Sequence, residues 1–155
     1  ACKARGHELR PYCTVRTPQQ QAREWRKGRT HEQINHHMDW LREQGAPHLA
    51  AIIGAVGPQH GAKSTNAWPG LSYHQHGMAV DCLLVGPSNV ADWDADSAGW
   101  AVYEAEAERL GLKCGRSWGD SPHVQAGDYH GTQDSPARLD RLMVKLYPGE
   151  LGNLR

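Results

Sequence analysis

"SYHQHGMAVDC", residues 72–82, decides how the chain is read. Its second half continues through Leu83, Leu84 and Val85, a β-friendly run that predicts a strand over 79–85, closed by Gly86-Pro87. Its first half sets Ser72, His74 and His76 directly against that strand. His74 and Asp81 are seven residues apart, an odd spacing that puts their side chains on opposite faces of one straight strand. They can meet only if the chain turns between them, and Gly77 is the residue suited to the turn. The expectation is therefore two adjacent strands, around 71–75 and 79–85, aiming His74 and Asp81 at one point.

Helical patterns surround this stretch. Thr17 is a good N-cap, Pro18 fits the first helical position, Gln20 completes a capping box and Gly28 ends the segment. The pattern repeats with Thr30 as cap, Gln33 at the box position and Gly45 as terminator, with Ile34, Met38 and Leu41 as the buried stripe. "PHLAAIIGAVG" reads as a third short helix, with a strand as the alternative. Beyond residue 96, Ser97 caps a helix whose face carries Trp100, Tyr103, Ala107 and Leu110. "LKCG" and "PHVQ" read as short strands around a turn at 117–120. A last helix, roughly 136–147, presents Leu139, Leu142, Met143 and Leu146. Helices segregated around a small antiparallel sheet make an α+β fold, and no linker divides it, so a single domain over 1–155 is expected.

The 155 residues suit one compact domain. Seventeen basic residues balance seventeen acidic ones, which gives no electrostatic case for nucleic acid or an anionic membrane as partner. No apolar run approaches a membrane span, and the first residues lack the apolar core of a signal peptide, so the chain is made without one or its numbering starts after removal. The four cysteines, Cys2, Cys13, Cys82 and Cys114, contain no C-x-x-C pair, which argues against a zinc knuckle. Two readings stand: disulfides Cys2–Cys13 and Cys82–Cys114, or four reduced thiols.

A second polar cluster is "SWGDSPHVQ", residues 117–125. Pro122 forces an extended approach to His123, with Asp120 three residues before it. His74, Asp81 and His123 together offer two nitrogens and a carboxylate, the donor set of a catalytic zinc site whose fourth position is left to water. Asp120 would then be spare to act as general base and proton donor. On chemistry alone, three such residues in a chain with ten histidines are more readily unconnected surface groups.

The full pattern changes that balance. Ser72, His74, Gly77, Ala79 and Asp81 fill S-x-H-x-x-G-x-A-x-D, and Asp120 with His123 fills the acid-x-x-His motif that follows. This resembles the zinc D-Ala-D-Ala carboxypeptidase and L-alanyl-D-glutamate endopeptidase family, whose phage endolysin-type branch usually carries Asp in "D-x-P-H-x-Q". Here that motif reads Asp120-Ser121-Pro122-His123-Val124-Gln125. "TVRTPQQQAREWRKGRT", "STNAWPGLSYH" and "ERLGLKCGRSW" extend the resemblance over about 13–30 and 64–125, while 31–60 departs from it.

The resemblance implies a hedgehog/DD-peptidase-like fold, one Zn²⁺ on His74, Asp81 and His123, Asp120 as the catalytic acid–base, Arg16 binding substrate or oxyanion, and Ser72 assisting. It implies a peptidoglycan hydrolase cutting L-alanyl-D-glutamate bonds. The runner-up activity is D-Ala-D-Ala carboxypeptidase, and the rival of another class is a non-catalytic zinc-bearing module. The expected partner is bacterial peptidoglycan, the expected state a monomer, and the place of action the wall, reached by secretion or phage delivery. Trp118 is read as packing beside the site or in the core. His76 is not read as a ligand, and His36 and His37 are read as solvated.

Overall fold

The computed structural model describes residues 2–86 and 89–151, and the chain forms two compact units. Pro87, read above as closing a strand, lies outside the described residues.

The first unit comprises the chain through Val15 and His76–Tyr129. It holds β1 (Glu8–Cys13), β2 (Ala79–Val85), β3 (Ala91–Asp92), β4 (Leu112–Cys114), β5 (His123–Ala126) and helix α4 (Ala98–Arg109). The sheet runs β1-β2-β5-β4 with β3 paired to β2, and every pairing is antiparallel. Alternation along β2 and β5 sends Val80 and Val124 to one face, where they pack with Tyr103, Ala107, Leu112 and Cys114. Asp81 and His123 therefore take the other face. Gly99 in α4 is required by close approach, because a Cβ there would lie 2.5 Å from a Leu84 methyl. Trp100 and Ala107 are buried as the pattern predicts, but Leu110 is 63% exposed because the helix ends at Arg109, one residue before it.

The second unit comprises Arg16–Gln75 and the chain from His130. Helices α1 (Pro18–Arg26), α2 (His31–Glu43), α3 (Pro47–Ala55), α5 (Pro136–Leu146) and α6 (Pro148–Leu151) build it. Both predicted capping boxes form, Thr17 with Gln20 and Thr30 with Gln33. The core gathers Ala22, Trp25, Ile34, Leu41, Leu49, Ile52, Ile53, Leu139 and Met143. Leu146, read as part of the α5 stripe, is exposed at that helix's last residue.

Helix α3 is almost wholly apolar and its N-cap, Ala46, offers no side-chain bond, so its ends are satisfied by other helices. The buried Asp140 carboxylate of α5 accepts from the Leu49 N–H at 2.8 Å and meets His48 Nδ1 at 2.8 Å. At the other end, Arg26 of α1 donates to the Ile53 carbonyl at 2.6 Å. A negative group at a helix start and a positive one at its end also complement the helix dipole. Asp140→Ala is expected to destabilise the second unit by about 2–4 kcal/mol, since it leaves a buried helix N-terminus without its acceptor; chemical denaturation of the variant measures this.

Three expectations are corrected here. Residues 71–75 are not a strand. Leu71 N–H bonds to the Trp68 carbonyl, Gln75 N–H bonds to the Ser72 carbonyl, and Tyr73–His76 is a 3-10 turn. Ser72, His74 and Gln75 are all buried, so the alternation of a half-buried strand is missing. The pairings proposed for the cysteines do not form: Cys2, Cys82 and Cys114 carry thiols. Strand β5 lies between β2 and β4, so Cys82 and Cys114 sit two strand spacings apart, roughly 10 Å, beyond the ~7 Å limit for a bridge.

The third correction is His37. Read as solvated, it packs against Trp25, Trp40 and Trp68 at ring-centroid distances of 4.7, 5.2 and 5.8 Å. Its Nε2 is buried with no hydrogen-bond partner. Burial, and then the positive charges of Arg29 and His36, hold its pKa down to about 4. Between pH 6.5 and about 4 the unfolded chain binds a proton at this ring and the folded chain does not, so stability should fall as pH falls through that window. The loss is on the order of 1–3 kcal/mol, the lower figure allowing for solvent around a half-buried ring. His37→Phe should flatten this slope in melts recorded from pH 7 to pH 4.

Candidate metal and catalytic site

In the first unit, Asp120 to His123 is shaped by backbone bonds. The Asp120 N–H donates to the Gly115 carbonyl at 2.9 Å, and the His123 N–H returns to the Asp120 carbonyl at 3.0 Å. Gly115 is needed for this tight turn, since a Cβ there would sit 2.3 Å from the Asp120 carbonyl oxygen and 2.9 Å from His123 Cβ. The Pro122 carbonyl accepts from Cys82 N–H at 3.0 Å, which ties the turn to β2 where the β2–β5 ladder starts.

That ladder places His123 directly opposite Asp81. Cross-strand partners share a face, and the side chains meet: His123 Nδ1 lies 2.9 Å from Asp81 Oδ1. The other ring nitrogen, Nε2, lies 3.0 Å from Gln125 Oε1, two residues along the same strand and therefore on the same face. Burial pushes the His123 imidazole down, but the bonds to Asp81 and Gln125 and the charges of Asp81 and Asp120 outweigh it, and the net direction is up. Asp120 itself is exposed, a position open to solvent and substrate. Trp118 stands edge-on to His123 at 6.2 Å and is 54% exposed, so it flanks the imidazole and is not a core residue.

The second unit carries the other sequence-derived candidates. His74 is buried in the 3-10 turn, and Ser72 is buried just ahead of it. The turn is fixed on several sides. Gln75 Oε1 accepts from Gly70 N–H at 2.7 Å, Tyr147 Oη donates to the Gln75 carbonyl at 2.7 Å, and the Arg16 N–H donates to the His74 carbonyl at 3.4 Å. The Arg16 guanidinium donates from Nη1 to Gln21 Oε1 at 3.1 Å, and the fully buried Gln21 donates from Nε2 to the Ala67 carbonyl at 2.6 Å. Arg16 is thus aimed by a buried amide.

The donors suit zinc. Bonds of about 2.0 Å to nitrogen and oxygen put tetrahedral ligands roughly 3.3 Å apart, close to the observed spacing of the Asp81 and His123 atoms. An imidazole whose far nitrogen is engaged by Gln125 has the outer partner that metal-bound histidines ordinarily have.

Gln125 stands in the quoted motif without a role, and for Cys13 the sequence leaves a disulfide and a reduced thiol open; register places Cys13 opposite Asp81 on β1. Gln21, which holds Arg16, has no local signal beyond its place in the helical segment that Thr17 caps. His76, not read as a ligand, lies 2.7 Å through Nδ1 from Tyr129 Oη.

The sequence model of the D-alanyl-D-alanine carboxypeptidase family matches residues 65–126. That segment contains Ser72, His74, Asp81, Asp120, His123 and Gln125, and leaves out Arg16 and the helices from α1 to α3. This part of the chain is thus similar to a family of peptidases.

Proposed function

We propose that the chain is a zinc peptidase that cleaves peptidoglycan stem peptides between L-alanine and D-glutamate, in the manner of an endolysin. The single observation that carries this reading is the Asp81–His123–Gln125 arrangement beside an exposed Asp120. It supplies two metal donors, one outer partner and one carboxylate left over for proton transfer. His74, Asp81 and His123 would hold one Zn²⁺, and the two units together would constitute one catalytic domain over 1–155. When bound, zinc supplies Lewis acidity, polarising a carbonyl and bringing the pKa of a coordinated water to about 7.

The chain's own residues do the rest. Asp120 takes the proton of the attacking water on its carboxylate and delivers it to the leaving amine. Arg16, held by Gln21, offers two donors to a substrate carboxylate or to the developing oxyanion. Ser72 adds a hydroxyl beside His74. The working form is a monomer acting on the bacterial wall, reached by secretion or by delivery from a phage-infected host.

The choice of scissile bond is favoured by Asp in place of Glu at position 120, as in the resemblance drawn above. Digestion of purified peptidoglycan followed by mass spectrometry tests it. A new N-terminal D-glutamate supports the endopeptidase. Released free D-alanine would instead identify a D,D-carboxypeptidase. No cleavage by the zinc-loaded protein, with or without chelator, would leave a non-catalytic zinc module.

A further inference from the structure

We propose that Cys13 is a further protein donor to the metal of this site, through its thiolate sulfur. The inference rests on the reading of Asp81 and His123 as metal ligands, and it starts from an irregularity in β1. The β1–β2 register runs Glu8↔Val85, Leu9↔Leu84, Arg10↔Leu83 and Pro11↔Cys82, which would bring Tyr12 opposite Asp81. Instead the register shifts, and Cys13 takes that place. One extra residue in a strand turns every following side chain to the other face. The bulge thus replaces a phenol by a thiol in the row that crosses the sheet as Cys13, Asp81 and His123.

Tyr12 is displaced outward, more than half exposed and edge-on to Trp93 at 5.9 Å. Bulges are concentrated beside active sites, where they re-aim a side chain. The re-aimed group here has metal chemistry. The Cys13 sulfur lies within 4.8 Å of an Asp81 carboxylate oxygen. Zn–S bonds of about 2.3 Å and Zn–O bonds of about 2.0 Å put such a pair roughly 3.5 Å apart, so a small turn of one side chain suffices. The Asp81 carboxylate is then flanked by an imidazole on one side and a thiol on the other.

Binding moves one proton from the thiol to solvent and forms one metal–sulfur bond, with no change of oxidation state. A thiolate favours zinc and cobalt over hard ions such as magnesium. It also fills a position that an open, hydrolytic zinc site leaves to water. The ion would then be held by its own chain until substrate or water displaces the sulfur.

Cobalt substitution of the full chain tests this without reference to activity. Co²⁺-loaded protein should show a near-ultraviolet sulfur-to-cobalt charge-transfer band. Cys13→Ser should lose the band, and Cys2→Ser should keep it. Zinc affinity by chelator competition should fall at least about tenfold in Cys13→Ser, the low end of what outer partners of a metal contribute. Cobalt bound with a spectrum of nitrogen and oxygen ligands alone would overturn the Cys13 role and leave the metallopeptidase reading standing. A band that survives in Cys13→Ser would overturn it too. No cobalt or zinc bound by the wild-type chain would sink both.

Discussion

Asp120→Ala is expected to bind one zinc per chain, to fold as the parent does, and to hydrolyse wall peptides about 10²–10⁴-fold more slowly, the range associated with losing a positioned acid–base group. The three parts of this expectation follow from different features of the turn. The fold survives because the contacts that shape 115–123 are made by backbone atoms of Asp120, its N–H to Gly115 and its carbonyl to His123, which alanine retains. The metal is expected to stay because, in the proposed site, Asp120 is not a ligand and acts on His123 through its charge. Hydrolysis is expected to fail because, in the proposed mechanism, the exposed Asp120 carboxylate accepts the water's proton. Asp120→Asn keeps the shape and removes the basicity, so it should fall as far as alanine. Asp120→Glu restores the carboxylate with one more methylene and should recover part of the rate. Turnover on purified muropeptides, with metal content measured in the same samples, decides the matter. An alanine variant as fast as the parent would remove Asp120 from the chemistry.

The parts of this molecule that could be read in the sequence are those whose signals are local. The capping boxes at Thr17 and Thr30 announce their helices within four residues, and both form as read. The strand over Ala79–Val85 is declared by its own composition. What local signals could not supply is partnership at a distance. Nothing in "SYHQH" distinguishes a short strand from a 3-10 turn, because both leave polar residues before a glycine. The structure decides for the turn through Gly70, Gln75 and Tyr147, the last of which lies some seventy residues downstream. His37 looked like one more polar residue on a helix, but its burial depends on Trp25 from the preceding helix and Trp68 from a later loop. The same limit holds at the candidate site. Asp81, Asp120 and His123 were legible as a motif, whereas the outer partner Gln125 and the bulge that turns Cys13 toward Asp81 are matters of strand register. Register is fixed by the whole sheet and leaves only a faint trace in any one strand.

His123→Ala should cost more in zinc binding than any substitution outside the ligands, and comparison with Gln125→Leu separates donation from orientation. A protein zinc site binds with about 10–16 kcal/mol in all, so one of three or four donors carries roughly 3–4 kcal/mol, about 10²–10³-fold in affinity. Gln125 donates nothing to the metal. Its Oε1 faces His123 Nε2 and can accept a hydrogen bond from an N–H there; in the neutral imidazole that a metal would bind, this leaves the lone pair on Nδ1, the nitrogen that faces Asp81. Leucine leaves that N–H unanswered in a half-buried site and frees the ring to turn over, for which outer partners of zinc-bound histidines set a scale of about 10–100-fold. Gln125→Glu keeps an acceptor and should bind zinc at least as well as the parent. Chelator competition gives the affinities, and nitrogen-15 spectra of the imidazole give the proton's position. If Gln125→Leu binds zinc as tightly as the parent with the proton still on Nε2, the amide has no orienting role. If His123→Ala binds as tightly as the parent, the metal is held elsewhere, and the Asp81–His123 pair is an ordinary buried ion pair whose loss should register only in the stability of the sheet.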